Sequence, residues 1–282
     1  MATVVSFLIA ALLAQDLDLS TVAPDLTTPV MVDGDPAAGR RVKQTTPGWE
    51  GTAVHHALYL PRDWKAEGRY PVLVEYAGNG GYRNAFGDVS HGTVDGSNLG
   101  YGISGGEGVL WVCVPFVKKT AGGAENAAKW WGDVDETKRY CRRTVAFVCE
   151  KYGGDPKKVV LAGFSRGAIA CNYIGLHDDE IAALWRGFIT FSHYDGQLTQ
   201  WGYPGADRPS ALERLRRLNG RPQWISMEKS VDPIRTYVES TGIQAPFTFQ
   251  SIRFRNHSDQ WVLRDIPERA AVRDWLRKTL AD

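Results

Sequence analysis

The chain has 282 residues, 43% of them apolar and 23% charged, which suits one α/β domain with a single sizeable core. Its 33 Lys and Arg against 32 Asp and Glu leave a formal charge of +1 with no basic stripe, which argues against a nucleic-acid partner. No run is apolar and long enough to span a bilayer, and ten tryptophans are more than a chain of this length ordinarily carries.

Residues 1–14, "MATVVSFLIAALLA", form a short apolar run followed by the polar "QDLDLS". This is the pattern of a secretory signal peptide, though without a Lys or Arg ahead of the run, and it points to a secreted or periplasmic protein. Residues 15–40 are polar and proline-dotted and read as an extended lead-in, so the folded domain is expected over residues 41–282. "TAVHHALYLP" and "YPVLVEYAGNGG" read as strands, the second running into a glycine-rich turn. A long loop follows and ends in the strand "VLWVCVPFV"; a second loop carries "KWWGD". Residues 135–152 space their apolar positions as a helix, stopped by "GGDP". From there strands ("KVVLAGF", "WRGFITFS", "PQWISM", "FTFQSIRF") alternate with helices ("RGAIACNYIGL", "SALERLRRL", "PIRTYVEST", "PERAAVRDWLRKTL"). Such alternation means a mostly parallel sheet with helices on both faces.

Four cysteines are too few and too scattered for a disulfide framework. Cys141 and Cys149 stand about 12 Å apart along one helix and cannot pair with each other. Buried free thiols are the simplest reading. No zinc-like spacing occurs, and no metal or organic cofactor is called for.

G-x-S-x-G occurs twice, as "GISGG" at residues 102–106 and "GFSRG" at residues 163–167. The pattern lifts a serine hydroxyl above a sheet edge only when a strand precedes it and a helix follows. Ser165 has that setting, between "KVVLA" and "AIACNYIGL"; Ser104 runs into another glycine turn and then a strand. Ser165 is therefore the nucleophile candidate.

With that elbow, the early "YAGNGG" turn and the late "NHSDQW", residues from about 50 to 282 resemble the α/β-hydrolase superfamily, in particular its secreted esterase and prolyl-oligopeptidase-like members. The family's HG dipeptide is absent, because Ala77 stands at the histidine position. The resemblance implies the order serine, acid, histidine. His257, between the last strand and the last helix, takes the histidine's place; His193 is its rival and reads better as a pocket residue. For the acid the family's pattern, an Asp shortly before a Pro-led helix, selects Asp232, with Glu228 and Asp195 as alternatives. The oxyanion donors implied are the backbone N–H groups of Arg166 and of a residue among 78–80, most simply Asn79.

Trp130, Trp131 and Gly80 lie in loops at the sheet edge where parallel sheets bind ligands, and a tryptophan wall suits aromatic acyl groups or sugar faces. The function expected is therefore a serine carboxylic ester hydrolase acting through an acyl-enzyme on extracellular aromatic, sugar-linked or polymeric esters. A single-domain peptidase of prolyl-oligopeptidase type, or a non-catalytic binding protein on the same fold, are the alternatives. Oligomeric state is not legible in the sequence.

Overall fold

A computed structural model describes residues 17–281. The leader-like run of residues 1–14 lies outside the described residues. In chain order the elements are β1 (Arg41–Gln44), β2 (His56–Tyr59), β3 (Tyr70–Tyr76), β4 (Tyr82–Arg83), β5 (Val89–Ser90), α1 (Leu99–Ser104), β6 (Leu110–Val114), β7 (Val117–Thr120) and β8 (Gly123–Asn126). Then come α2 (Val134–Tyr152), β9 (Gly154–Phe164), α3 (Arg166–Tyr173), α4 (Asp179–Ala182), β10 (Gly187–Phe191), α5 (Arg208–Arg216), β11 (Gln223–Glu228), α6 (Asp232–Ser240), β12 (Phe247–Ile252) and α7 (Pro267–Leu280).

Eight strands form one sheet in the order β1-β2-β6-β3-β9-β10-β11-β12. The pairs β1–β2 and β2–β6 are antiparallel and every later neighbour is parallel. The interior strands β6 and β10 are buried at every residue, which is why "LWVCV" and "GFITF" are apolar almost throughout rather than alternating. Successive residues of β3 feed opposite faces. Val72, Val74 and Tyr76 join a core with α2, α3, α5 and α6, while Leu73 joins a second core with α1 and α7. These two layers cover the sheet, as the alternation of strands and helices implies.

Local chemistry sets the helix ends. Asp133 caps α2 by accepting from the Glu136 N–H, and Gly153 closes it with φ 76°. Residues 17–40 run as a strap along the domain: the Asp25 carboxylate pairs with Arg269 at 2.6 Å, its N–H donates to the Leu263 carbonyl, and Val32 bridges Val42.

The structure also departs from the sequence reading. The segment read as one loop before β6 contains the β4–β5 hairpin and α1, and a β7–β8 hairpin follows β6. Two-residue strands carry no periodicity to read. All four cysteines are free and buried. Among the described residues no helix is long and apolar enough to cross a membrane.

The turn between β9 and α3 depends on two glycines. A Cβ on Gly163 would lie 2.0 Å from the Gly167 carbonyl oxygen, and one on Gly167 would lie 1.9 Å from that of Tyr76. Both neighbours are backbone and have no rotamer to yield. Gly163→Ala and Gly167→Ala are each expected to cost about 3 kcal/mol or more in denaturant unfolding. The open Gly122, with nothing within 4 Å, should tolerate alanine. A near-neutral Gly167→Ala would contradict this packing.

Candidate active site

Ser165 sits between β9 and α3 with φ 54° and ψ −115°, a conformation that L-residues adopt only under constraint. Its N–H donates to the Phe191 carbonyl at 2.9 Å, and the turn of α3 starts from its own carbonyl. The hydroxyl is thereby presented at the C-terminal edge of the sheet, 2.9 Å from His257 Nε2.

His257 lies in the loop after β12 and is held from several sides. Its N–H donates to Asp88 Oδ2 at 2.9 Å, and the neighbouring Asn256 amide donates to Asp88 Oδ1 at 2.9 Å. Tyr82 and Phe164 pack on the ring, with centroids at 4.6 and 4.9 Å. On the far side, Nδ1 lies 2.7 Å from Glu228 Oε1 and 2.7 Å from Ser192 Oγ, and the Ser192 hydroxyl donates to Glu228 Oε1 at 2.9 Å. With an oxygen pair at Nδ1, the proton belongs there and the Nε2 lone pair faces Ser165.

The carboxylate within hydrogen-bond distance of His257 is thus Glu228, and the structure does not bring Asp232 to it. Glu228 ends β11, and Lys229 turns the chain away with φ 61°. Asp232 is by then the exposed first residue of α6, where its carboxylate accepts from the Ser230 hydroxyl at 3.0 Å. The longer glutamate side chain at the strand end spans the gap that an aspartate in a longer turn was expected to span. Asp195 is buried in an ion pair with Arg214 at 2.7 Å, part of the scaffold under α5. Ser104 ends α1 and donates to the Gly100 carbonyl, so its hydroxyl serves the helix.

A cleft of about 460 Å³ opens over Ser165 and is lined by Asn79, Gly80, Tyr82, Trp130, Arg166, His193, Trp201 and His257. The N–H groups of Asn79 and Arg166 have no hydrogen-bond partner among the described residues, so both remain available to an anionic oxygen. Trp130 forms a wall with Trp201, at a centroid distance of 5.7 Å. Trp131 does not line the cleft: it is 4% exposed and packs behind Trp130, with ring centroids 6.0 Å apart, stacked on Tyr173 at 4.5 Å. Gly80 lets the chain pass close to its neighbours; a Cβ there would lie 2.6 Å from the Ala128 and His91 carbonyl oxygens.

Among the described residues no carboxylate lines the cleft, and the Arg166 guanidinium faces carbonyl groups instead. A second cavity, of about 650 Å³, is larger and more polar but contains neither Ser165 nor His257. Among the described residues no group of three or more His, Cys, Asp or Glu side chains is arranged to hold a metal ion. Three contributors carry no signal in the sequence: Ser192, which directly follows β10, and Tyr82 and Asp88, which the short β4–β5 hairpin brings to His257.

No protein-family model matches the chain, and no curated protein matches its sequence. Solved structures do resemble it. An S-formylglutathione hydrolase from Agrobacterium tumefaciens superposes with TM-score 0.56 at 14% identity, over 89% of this chain and 98% of that one. Esterase 2 of Thermogutta terrifontis, described as phosphorylated by paraoxon, gives 0.55 at 16% over 89% and 99%. The AtxE2 isopeptidase gives 0.54 at 15% over 86% of this chain, which spans only 40% of the isopeptidase. At these identities the likeness speaks for architecture: the chain has the α/β-hydrolase fold.

His193, on the cleft wall, gives a direct check of the site's polarity. Burial, and then the neighbouring His257, hold its pKa down at about 4, against an ordinary 6.5. Its Nδ1 is buried without a partner. The neutral Nε2–H tautomer follows, since an unpaired lone pair costs less there than an unpaired N–H. Imidazole NMR resonances of His193 should stay in the neutral position above pH 5; a midpoint near 6.5 would contradict the burial.

Proposed function

We propose that the chain is a serine carboxylic ester hydrolase with Ser165 as nucleophile, His257 as general base and acid, and Glu228 as the orienting carboxylate. The observation that carries this reading is the unbroken chain of contacts from Ser165 Oγ to His257 Nε2 at 2.9 Å and from His257 Nδ1 to Glu228 at 2.7 Å. His257 takes the Ser165 proton as Oγ attacks the acyl carbon, then returns it to the leaving alcohol. Glu228 holds the Nδ1–H tautomer and stabilises the imidazolium. The developing oxyanion binds to the N–H groups of Arg166 and Asn79, donors of a kind worth about 3 kcal/mol each. Water, activated by His257, then cleaves the acyl-enzyme.

The cleft favours neutral substrates with a flat group. Trp130, Trp201 and Tyr82 offer aromatic faces, which suit aromatic acyl groups or sugar rings of extracellular esters. A peptidase that anchors a free amino terminus needs an acidic group in the cleft, and among the described residues no carboxylate lines it. Nitrophenyl, feruloyl and acetylated-sugar esters should therefore be turned over, while proline anilides should not. Anilide turnover without ester turnover would favour the peptidase reading, and absence of both the binding protein.

Two substitution sets test the assignments. Glu228→Gln should lower kcat by about 10³ to 10⁴, while Asp232→Asn and Asp195→Asn, if folded, stay within about tenfold of the wild type. A large loss in Asp232→Asn alone would return the acid to that residue. Trp130→Ala should weaken aromatic esters more than acetate esters; equal losses on all esters with a lowered Tm would mark Trp130 as an anchor only.

A further inference from the structure

The residue after the nucleophile contributes more than its amide. Arg166 is 1% exposed, and no carboxylate pairs with it among the described residues. Its guanidinium instead donates to three backbone carbonyls: Trp130 at 2.7 Å, Ala127 at 3.2 Å and Gly92 at 3.3 Å. Phe116 supports it from one face, with the ring centroid 4.0 Å away. Burial pushes its pKa down to about 9, so it is charged at neutral pH. A buried cation without a counter-ion is costly, and an apolar side chain of similar volume would fill the space more cheaply.

The three carbonyls explain the expense. They belong to two loops that cross the turn carrying Asn79. Gly80 donates to the Ala128 carbonyl at 2.8 Å, and a Cβ on Gly92 would meet that same oxygen at 2.0 Å. Trp130, held at φ 49°, donates its N–H to Asn79 Oδ1 at 2.8 Å. A closed path thus runs from the Arg166 side chain to the Trp130 carbonyl, through Trp130 to its N–H, and on to Asn79.

We propose that the Arg166 side chain is a positioning residue that sets the spacing between the two oxyanion donors, the N–H groups of Arg166 itself and of Asn79. The inference rests on the ester-hydrolase reading above. A planar fork with several N–H groups serves three carbonyls at once; a lysine keeps the charge but serves fewer.

The test compares Arg166→Met and Arg166→Lys with the wild type in ester turnover and in affinity for a trifluoromethyl ketone, which forms an anionic tetrahedral adduct with the serine. Folding is checked by circular dichroism and Tm. Arg166→Met should lose about 10²-fold in kcat with KM within about threefold, and ketone affinity should fall in step. Arg166→Lys should lose about tenfold in both. Wild-type kcat and ketone affinity in folded Arg166→Met would overturn the proposal, as would a loss confined to KM. If the methionine variant does not fold, Arg166→Lys decides: a lysine enzyme equal to the wild type on both readouts overturns it. A wild-type chain that neither turns over esters nor reacts with a fluorophosphonate overturns the underlying reading as well, a result distinct from an active wild type with indifferent Arg166 variants.

Discussion

The reactive edge depends on one strained backbone position. Ser165 at φ 54° is tolerable because its neighbours leave it no alternative: Gly163 and Gly167 let the strand end and the helix start approach within contact of other backbone, and the Ser165 N–H is tied to Phe191. Strain of this kind costs about 1–3 kcal/mol and survives only where packing over-determines it. Here β9 lies at the centre of the sheet between β3 and β10, with α3 packed on it, so the turn is held by core packing on both sides. The hydroxyl is therefore placed by the core rather than by a loop.

The histidine is placed the opposite way, by many ties onto a loop. Asp88 fixes its backbone, Tyr82 and Phe164 fix its ring plane, and Glu228 with Ser192 fixes its tautomer. Ser192 itself is fully buried with φ 85°, a second constrained residue at the end of the adjacent strand. Parallel strands bring these ends together: β10 and β11 run side by side, so residues following Phe191 meet the end of β11, and β12 delivers the His257 loop to the same edge. Groups 92 residues apart in sequence are thereby within one hydrogen bond.

Apart from the single turn of α4, the order of strands and helices after residue 153 was legible because most of the strands are apolar runs and the helices between them are amphipathic or, like the fully buried α3, made of small and apolar residues. Ser165 was legible for the same reason, since the strand and helix on either side of a five-residue pattern carry the signal. Selecting the acid required knowing where the chain turns after "QWISM", and that is decided by Lys229 entering the left-handed region, where the sequence offers no glycine to announce it. Trp130 and Trp131 look alike in sequence, yet one faces the cleft and the other the core, a choice made by the tertiary ties of Arg166 and Asn79. Asp88 and Tyr82 reach His257 through two-residue strands, too short to leave a pattern.

Whether Ser165, activated by His257, is the nucleophile is read out by mapping a fluorophosphonate adduct by peptide mass spectrometry. A single adduct is expected on Ser165, formed far more slowly in His257→Ala and absent in Ser165→Ala. An adduct on Ser104 or Ser192, or equal labelling of Ser165 with and without His257, would contradict it.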